Sequence, residues 1–232
     1  MTVGTRIRML SVVVLLLTTA AIAGSRVTSQ AHAHDSNVYV ARWPTTAGPL
    51  DVVFQEAQSV SNLSASRRTA IRFGAAPWNA LETSLNMGLG PALNTEPDHK
   101  DCASGVNSLH WQAIDGRSNP TNGSGTILAQ TWMCYVAPWP GLGEQVYRML
   151  HAAIVYDRDE NWYFGTVTPG SAEHDMRGVS THEFGHFAGW RLHLSGVCSS
   201  PRHTMCPTIP PGTNEWRTLE THDTHTFRGA YP

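Results

Sequence analysis

Apolar positions change period several times along the chain, and each change marks an element. From Met9 through Val12, Val13, Val14, Leu15, Leu16 and Leu17 to Ile22 the run is nearly unbroken, with Arg6 and Arg8 ahead of it and Ala21-Ile22-Ala23 at its end. A stretch of about fifteen apolar residues falls short of the roughly 20 that span a bilayer. With its basic flank and small residues it has the form of a secretory leader, cleaved after Ala23 or Ala33. Residues 1–33 are read as leader and 34–232 as one domain. Val38 to Trp43 alternates and predicts a first strand. Ser64 to Glu82 predicts a helix, with Ile71, Trp78 and Leu81 at helical spacing behind Ser64 or Ser66, a bend at Pro77, and Asn86 to Gly90 closing the segment. Pro91 to Asn122 is turn-rich around a short strand at Leu109 to Ile114. Thr126 to Val136 and Ala152 to Tyr156 predict strands, the latter followed by a turn at Asp157 to Asn161. Asp175 to Ala188 predicts a helix, a Pro- and Gly-broken loop runs to Pro211, and Leu219 to Tyr231 predicts a closing helix. Strand, helix, several strands, helix, loop, helix is an α+β order, a sheet covered by few helices.

Length fits one core, since 232 residues is near the upper range of single domains. A net charge of -2 with 15% charged residues gives no basic field for nucleic acid or an anionic membrane. The basic residues are Arg apart from Lys100, and no function is read from that. All 4 cysteines, Cys102, Cys134, Cys198 and Cys206, follow the leader. An even count in an exported chain predicts disulfides, here expected as Cys102 with Cys134 and Cys198 with Cys206, the second closing a short loop. A four-thiolate zinc site wants C-x-x-C pairs, and none is present. The 12 histidines are the outlying feature, and their positions decide what they mean.

The decisive stretch is Val179-Ser180-Thr181-His182-Glu183-Phe184-Gly185-His186-Phe187-Ala188-Gly189-Trp190-Arg191-Leu192-His193. It contains H-E-x-x-H. Residues four apart share one helix face, so His182 and His186 can place two imidazole nitrogens on one ion at about 2.0–2.1 Å. Glu183 points too far round to be a convenient ligand but can take a proton from water that the metal acidifies. That combination suits peptide-bond hydrolysis. Gly189 allows the chain to turn back after the helix, His193 follows soon after, and Met205 lies further on in His203-Thr204-Met205-Cys206-Pro207.

These residues resemble the metzincin metallopeptidases, most of all the matrixin branch, the matrix-metalloprotease type. The family pattern is H-E-x-x-H-x-x-G-x-x-H followed by a Met-containing turn. The resemblance implies a twisted mixed sheet with an active-site helix, Met-turn and C-terminal helix. It also implies zinc on His182, His186 and His193, Glu183 as general base, Gly189 as the turn and Met205 beneath the metal. Ala152 to Tyr156 looks like the strand before the active-site helix, Thr126 to Thr131 like the edge strand along which substrate lies, and Asp223 to Tyr231 like the closing helix. In the family the third ligand stands three residues after the Gly, where this chain has Leu192. A one-residue insertion at Trp190-Arg191 accounts for the shift to His193, with His203 in reserve. A downstream carboxylate, Glu215 or Glu220, is the alternative third ligand.

The resulting expectation is a secreted, monomeric zinc endopeptidase acting on extracellular proteins or peptides, with no membrane attachment once the leader is removed. A specificity pocket is expected between Phe187 and Pro207-Thr208-Ile209. Asp157, Asp159 and Glu160 are a candidate structural Ca2+ site that the resemblance allows, against a solvated acidic turn. His222 and His225 read as an exposed helix end, and His32 and His34 at the leader boundary carry no role. The rival class is a non-catalytic secreted protein with a structural zinc on the same fold.

Overall fold

The computed structural model describes residues 8–13, 41–45, 48–114, 127–138, 147–190, 203–206 and 208–232. Its strands are β1 (Arg8–Val13), β2 (Ala41–Arg42), β3 (Leu50–Glu56), β4 (Leu85–Leu89), β5 (Ser108–Gln112), β6 (Ala129–Pro138), β7 (Tyr147–Asp157), β8 (Trp162–Tyr163) and β9 (His174–Asp175). Its α-helices are α1 (Gln58–Ser61), α2 (Ala65–Arg72), α3 (Ala76–Asn79), α4 (Met176–Phe187) and α5 (Thr221–Ala230).

A 7-stranded sheet runs in the order β1-β6-β7-β5-β3-β4, with β2 also paired to β7. β7, β5, β3 and β4 are mutually parallel, and β6 is antiparallel to both β7 and β1. β8 and β9 form a separate two-stranded pair. With its mostly parallel sheet and few helices, the architecture is mixed and agrees with the α+β expectation. No helix among the described residues is long and apolar enough to cross a membrane.

Burial follows the pattern of each strand. In β3, Val52, Phe54 and Glu56 are buried while Asp51 and Val53 face out, as the two-residue period requires. β7 is buried almost without interruption from His151 to Asp157, which suits a central strand covered on both faces. α4 lies against β6 and β7 on one side and against α2, α3 and the 3-10 turn between them on the other. The core between these layers is aromatic. Phe54 meets Phe184 at 4.9 Å between ring centroids, and Trp78 is held between Trp190 at 5.5 Å and Phe227 at 5.0 Å. A smaller cluster of Ile114, Ile127 and Val155 lies apart from it.

Several expected elements have different bounds. β3 was not expected, because Leu50 to Glu56 is a short run whose period an acidic residue at each end obscures. Asn86 to Gly90 does not merely close a helix. Leu85 to Leu89 is a strand paired in parallel with β3, its Leu85 and Met87 buried. The single helix expected over 64–82 is three pieces, α2, a 3-10 turn at Phe73–Ala75, and α3. Pro77 falls in the first turn of α3, where its missing N–H costs nothing, so the proline restarts the helix rather than bending it. The strand at 152–156 extends to eleven residues, 147–157. Of the strand expected at 38–43, only Ala41–Arg42 is a strand, residues 38–40 lying outside the described residues. Arg8–Val13, inside the segment read as leader, pairs in antiparallel register with β6, Val12 opposite Thr131.

Cys102 and Cys134 are disulfide-bonded, tying the loop before β5 to β6. Cys206 is disulfide-bonded as well, and Cys198, its expected partner, lies outside the described residues.

Candidate active site

α4 carries H-E-x-x-H, and each of its ends is fixed by a separate device. At its start the Asp175 carboxylate accepts from Gly178 N at 2.8 Å, an N-cap bond to one of the otherwise unpaired first-turn donors. Arg217 grips the same carboxylate through Nε at 2.8 Å and Nη2 at 2.6 Å, its Nη1 donates to the Thr166 carbonyl at 2.5 Å, and Nη2 also lies within reach of the Gly165 and Val167 carbonyls. The loop at 165–167, the helix start and the 3-10 turn Glu215–Arg217 are thereby one clamp.

At its far end α4 stops in a left-handed glycine. Gly189 has φ +95°, its N–H reaches the His186 carbonyl at 2.7 Å, and the Trp190 N–H reaches the Gly185 carbonyl at 3.0 Å. This pair of bonds is the Schellman motif. A Cβ on Gly189 would overlap the Ala41 carbonyl oxygen in β2, so the position excludes a side chain on two independent grounds. The Trp43 indole donates to the Phe187 carbonyl at 2.9 Å, and the Tyr231 hydroxyl to the Ala188 carbonyl at 2.6 Å. With Ala188 N donating to the Phe184 carbonyl, the terminal carbonyls of the helix are all engaged.

This end-capping sets the imidazoles. His186 Nδ1 bonds the Trp190 carbonyl at 2.7 Å, and His182 Nδ1 bonds the Thr204 carbonyl at 2.6 Å. A carbonyl only accepts, so both Nδ1 atoms carry the proton, and each neutral ring then has its lone pair on Nε2. The two Nε2 atoms converge to 3.0 Å. Two lone pairs at that distance repel unless a cation lies between them. Two ligands of a tetrahedral zinc with bonds of about 2.0–2.1 Å stand roughly 3.3 Å apart, close to the spacing found. The pair therefore fits a zinc ion by donor type, tautomer and distance.

Glu183, between them in sequence, is 1% exposed. Its Oε2 accepts from the Thr131 hydroxyl at 2.5 Å, and its Oε1 has no hydrogen-bond partner among the described residues. Burial pushes the carboxyl up to about 8, and the Thr131 bond opposes that only in part. Beneath the helix, Met205 packs on Gly185, where a Cβ would run into its sulfur and into Trp78. Gly185 and Met205 thus let the chain around residue 204 approach α4 closely enough for the Thr204 carbonyl to reach His182.

Among the expected site residues, His182, Glu183, His186, Gly189 and Met205 come together. His193 lies outside the described residues, as do His32, His34 and Pro207. His203 is grouped with His222 and Asp223. Glu220 caps α5, accepting from His222 N, and Glu215 is exposed. Phe187 does not wall a pocket. It is fully buried against Trp43, Phe54 and Phe184, because the inward face of α4 points at the sheet, and Ile209 is buried in the same core. His225 is exposed as expected, but His222 is only half exposed. Asp157 is 1% exposed and takes the Asp159 N–H, while burial and the neighbouring Asp157 and Asp159 raise Glu160 to about 7.

Three arrangements were not visible in the sequence. Thr131 reaches Glu183 from β6, and Arg217 reaches Asp175 from 42 residues away. The third has the distances of a nucleophile relay: Ser108 Oγ lies 2.8 Å from His110 Nε2, and His110 Nδ1 lies 2.7 Å from Glu96. Ser108, at the start of β5, is 2% exposed and His110 is fully buried, so no substrate reaches the hydroxyl, and the relay pins the loop at residue 96 to the sheet. No protein-family model and no curated protein sequence matches this chain.

Proposed function

We propose that the chain is a secreted zinc-dependent endopeptidase of the metzincin class, matrixin-like, hydrolysing peptide bonds of extracellular proteins or peptides as a monomer. The observation that carries this reading is the convergence of two Nε2 lone pairs at 3.0 Å with their tautomers fixed from behind, beside a buried carboxyl. His182 and His186 would hold the ion, with His193 as third ligand. When bound, zinc supplies Lewis-acid polarisation of the scissile carbonyl and a lowered pKa for water. Glu183 would take the proton of the attacking water and return it to the leaving amine. Thr131 holds its Oε2 in place while Oε1 is left for the exchange. β6 supports the reading from another side, since its outer edge takes an extended segment in antiparallel register, Arg8–Val13 in this structure, as it would a peptide substrate. Asp157, Asp159 and Glu160 would be the place for a structural Ca2+.

The non-catalytic alternative needs a closed fourth ligand, and His203, the candidate for it, belongs to a different cluster. The test is Glu183→Gln in the purified protein. It is expected to keep zinc and lose digestion of casein, which a chelator abolishes in the parent. Casein digestion by Glu183→Gln at the parent's rate refutes the mechanism.

A further inference from the structure

The turn at Met205 and the start of α5 bring together ligand-type side chains that are no part of the His182–His186 pair. His203 and His222 meet edge to face with ring centroids 5.5 Å apart. His203, His222 and Asp223 each offer a ligand atom within 4.8 Å of the other two. Glu220 adds a carboxylate, its Oε2 being 3.3 Å from His203 Nδ1 and 3.1 Å from His222 N. Asp223 is fully buried and the His203 side chain is 12% exposed, so the cluster is largely walled by protein.

We propose that His203, His222 and Asp223 form a second metal site, for a divalent transition ion of the zinc or cobalt type. Two imidazoles and a carboxylate are a borderline donor set, which selects such ions over calcium or magnesium. Bonds of about 2.0–2.2 Å place ligand atoms roughly 3.3 Å apart, so the cluster closes on an ion by side-chain adjustment of about an ångström. Asp223 is already oriented, its Oδ2 accepting from Thr204 N at 2.9 Å and Glu220 N at 3.3 Å. The positive end of α5 opposes a cation here, and the Asp223 and Glu220 carboxylates reverse that local field. If the His182–His186 pair holds zinc as proposed above, the second ion would also brace the Thr204 carbonyl that orients His182, because His203 precedes Thr204 and Asp223 binds its N–H.

The test is zinc stoichiometry of the metal-stripped full chain by calorimetric titration and elemental analysis, repeated with cobalt. Two ions per chain are expected in the parent, one in His222→Gln, one in the His182→Ala/His186→Ala double variant, and none in the combination. His222→Gln replaces a half-exposed side chain on the first turn of α5, and an unchanged circular dichroism spectrum identifies a folded variant. If His222→Gln does not fold, His203→Gln replaces it in the same comparison. A folded His222→Gln that binds as many ions as the parent, or a His182→Ala/His186→Ala double variant that is folded and binds none, overturns the proposal. Loss of the ion from the double variant is read separately, so failure of the catalytic reading leaves a count at His222 that stands or falls by itself.

Discussion

Replacing Gly189 by alanine tests whether the end of α4 is what shapes the imidazole pair. The backbone there has φ +95°, beyond the small left-handed basin near +60° that L-residues tolerate at a cost of about 1–2 kcal/mol. The new Cβ also overlaps the Ala41 carbonyl oxygen, which β2 holds by its pairing with β7 at Tyr147 and Arg148. Relief requires the turn to open, and opening breaks the Trp190 N–H bond to the Gly185 carbonyl, about 1 kcal/mol more. The sum is about 3 kcal/mol, or roughly 6–12 °C in melting temperature for a domain of this size. Since the Trp190 carbonyl orients His186, zinc affinity should fall with stability. Gly229→Ala is the matched control: it lies in α5, its Cβ would meet nothing within 4 Å, and it should be neutral or stabilising by about 0.5–1 kcal/mol. Thermal unfolding of the two variants with and without zinc reads the comparison. If Gly189→Ala melts within about 2 °C of the parent, the turn is plastic and the argument from capping to ligand geometry is wrong.

Other outcomes follow from buried charge, the disulfide and the metal. Burial raises the Glu56 carboxyl, but bonds from Arg72 at 2.6 Å and Arg68 at 2.7 Å outweigh it, and the net shift is downward. A lowered carboxyl stabilises the fold above its unfolded value of 4.5, and that contribution is lost as pH falls through the lower folded value. Glu56→Gln should therefore cost about 2–3 kcal/mol in denaturant melts at pH 7 and progressively less in acid, and a pH-independent deficit would contradict the ion-pair account. The Cys102–Cys134 bond spans 32 residues of sequence, so Cys102→Ser/Cys134→Ser should lose about 3–4 kcal/mol by the same measurement. Chelation should abolish casein digestion while leaving the far-ultraviolet circular dichroism unchanged, because the aromatic core and both helix caps are made by protein groups alone; loss of the spectrum on chelation would mean that the metal builds the fold.

What was legible in the sequence was local. H-E-x-x-H, the glycine after it and the methionine beyond it are short-range patterns, and they arrive where the spacing puts them. The run from Thr126 to Val136 is legible by its β-rich composition, and the helix at 175–188 by the motif it carries. β3 and β4 were missed because a parallel pair leaves no hairpin turn to mark it, and because strands of seven and five residues carry few repeats of their period. The expected pocket wall at Phe187 was an error of direction. A helix buried on nearly every side has no polar face to reveal which side holds the cleft, and the sheet takes Phe187. The neighbours of His203 were hidden for a related reason, since His222 and Asp223 are 19 and 20 residues further on, and only the fold brings them beside the turn.

The carbonyls behind the imidazoles come from opposite ends of the domain's logic. Trp190 is placed by a local turn, whereas Thr204 is placed by Asp223 of α5, which takes its N–H at 2.9 Å, and by Met205 seated on Gly185. Both routes close on α4 itself, whose final carbonyls are held by Trp43 near one terminus of the domain and Tyr231 at the other, the two being joined by the Trp43 N–H bond to the Tyr231 hydroxyl at 3.2 Å. Each imidazole is thereby set by backbone that the hydrophobic core fixes. A site organised in this way loses little entropy when a ligand binds, which is the condition for tight metal binding by only a few donors. It also explains why glycine is found at both 185 and 189. The first lets Met205 reach the helix from below and the second lets β2 reach its end, and a side chain at either would separate one imidazole from the carbonyl that directs it.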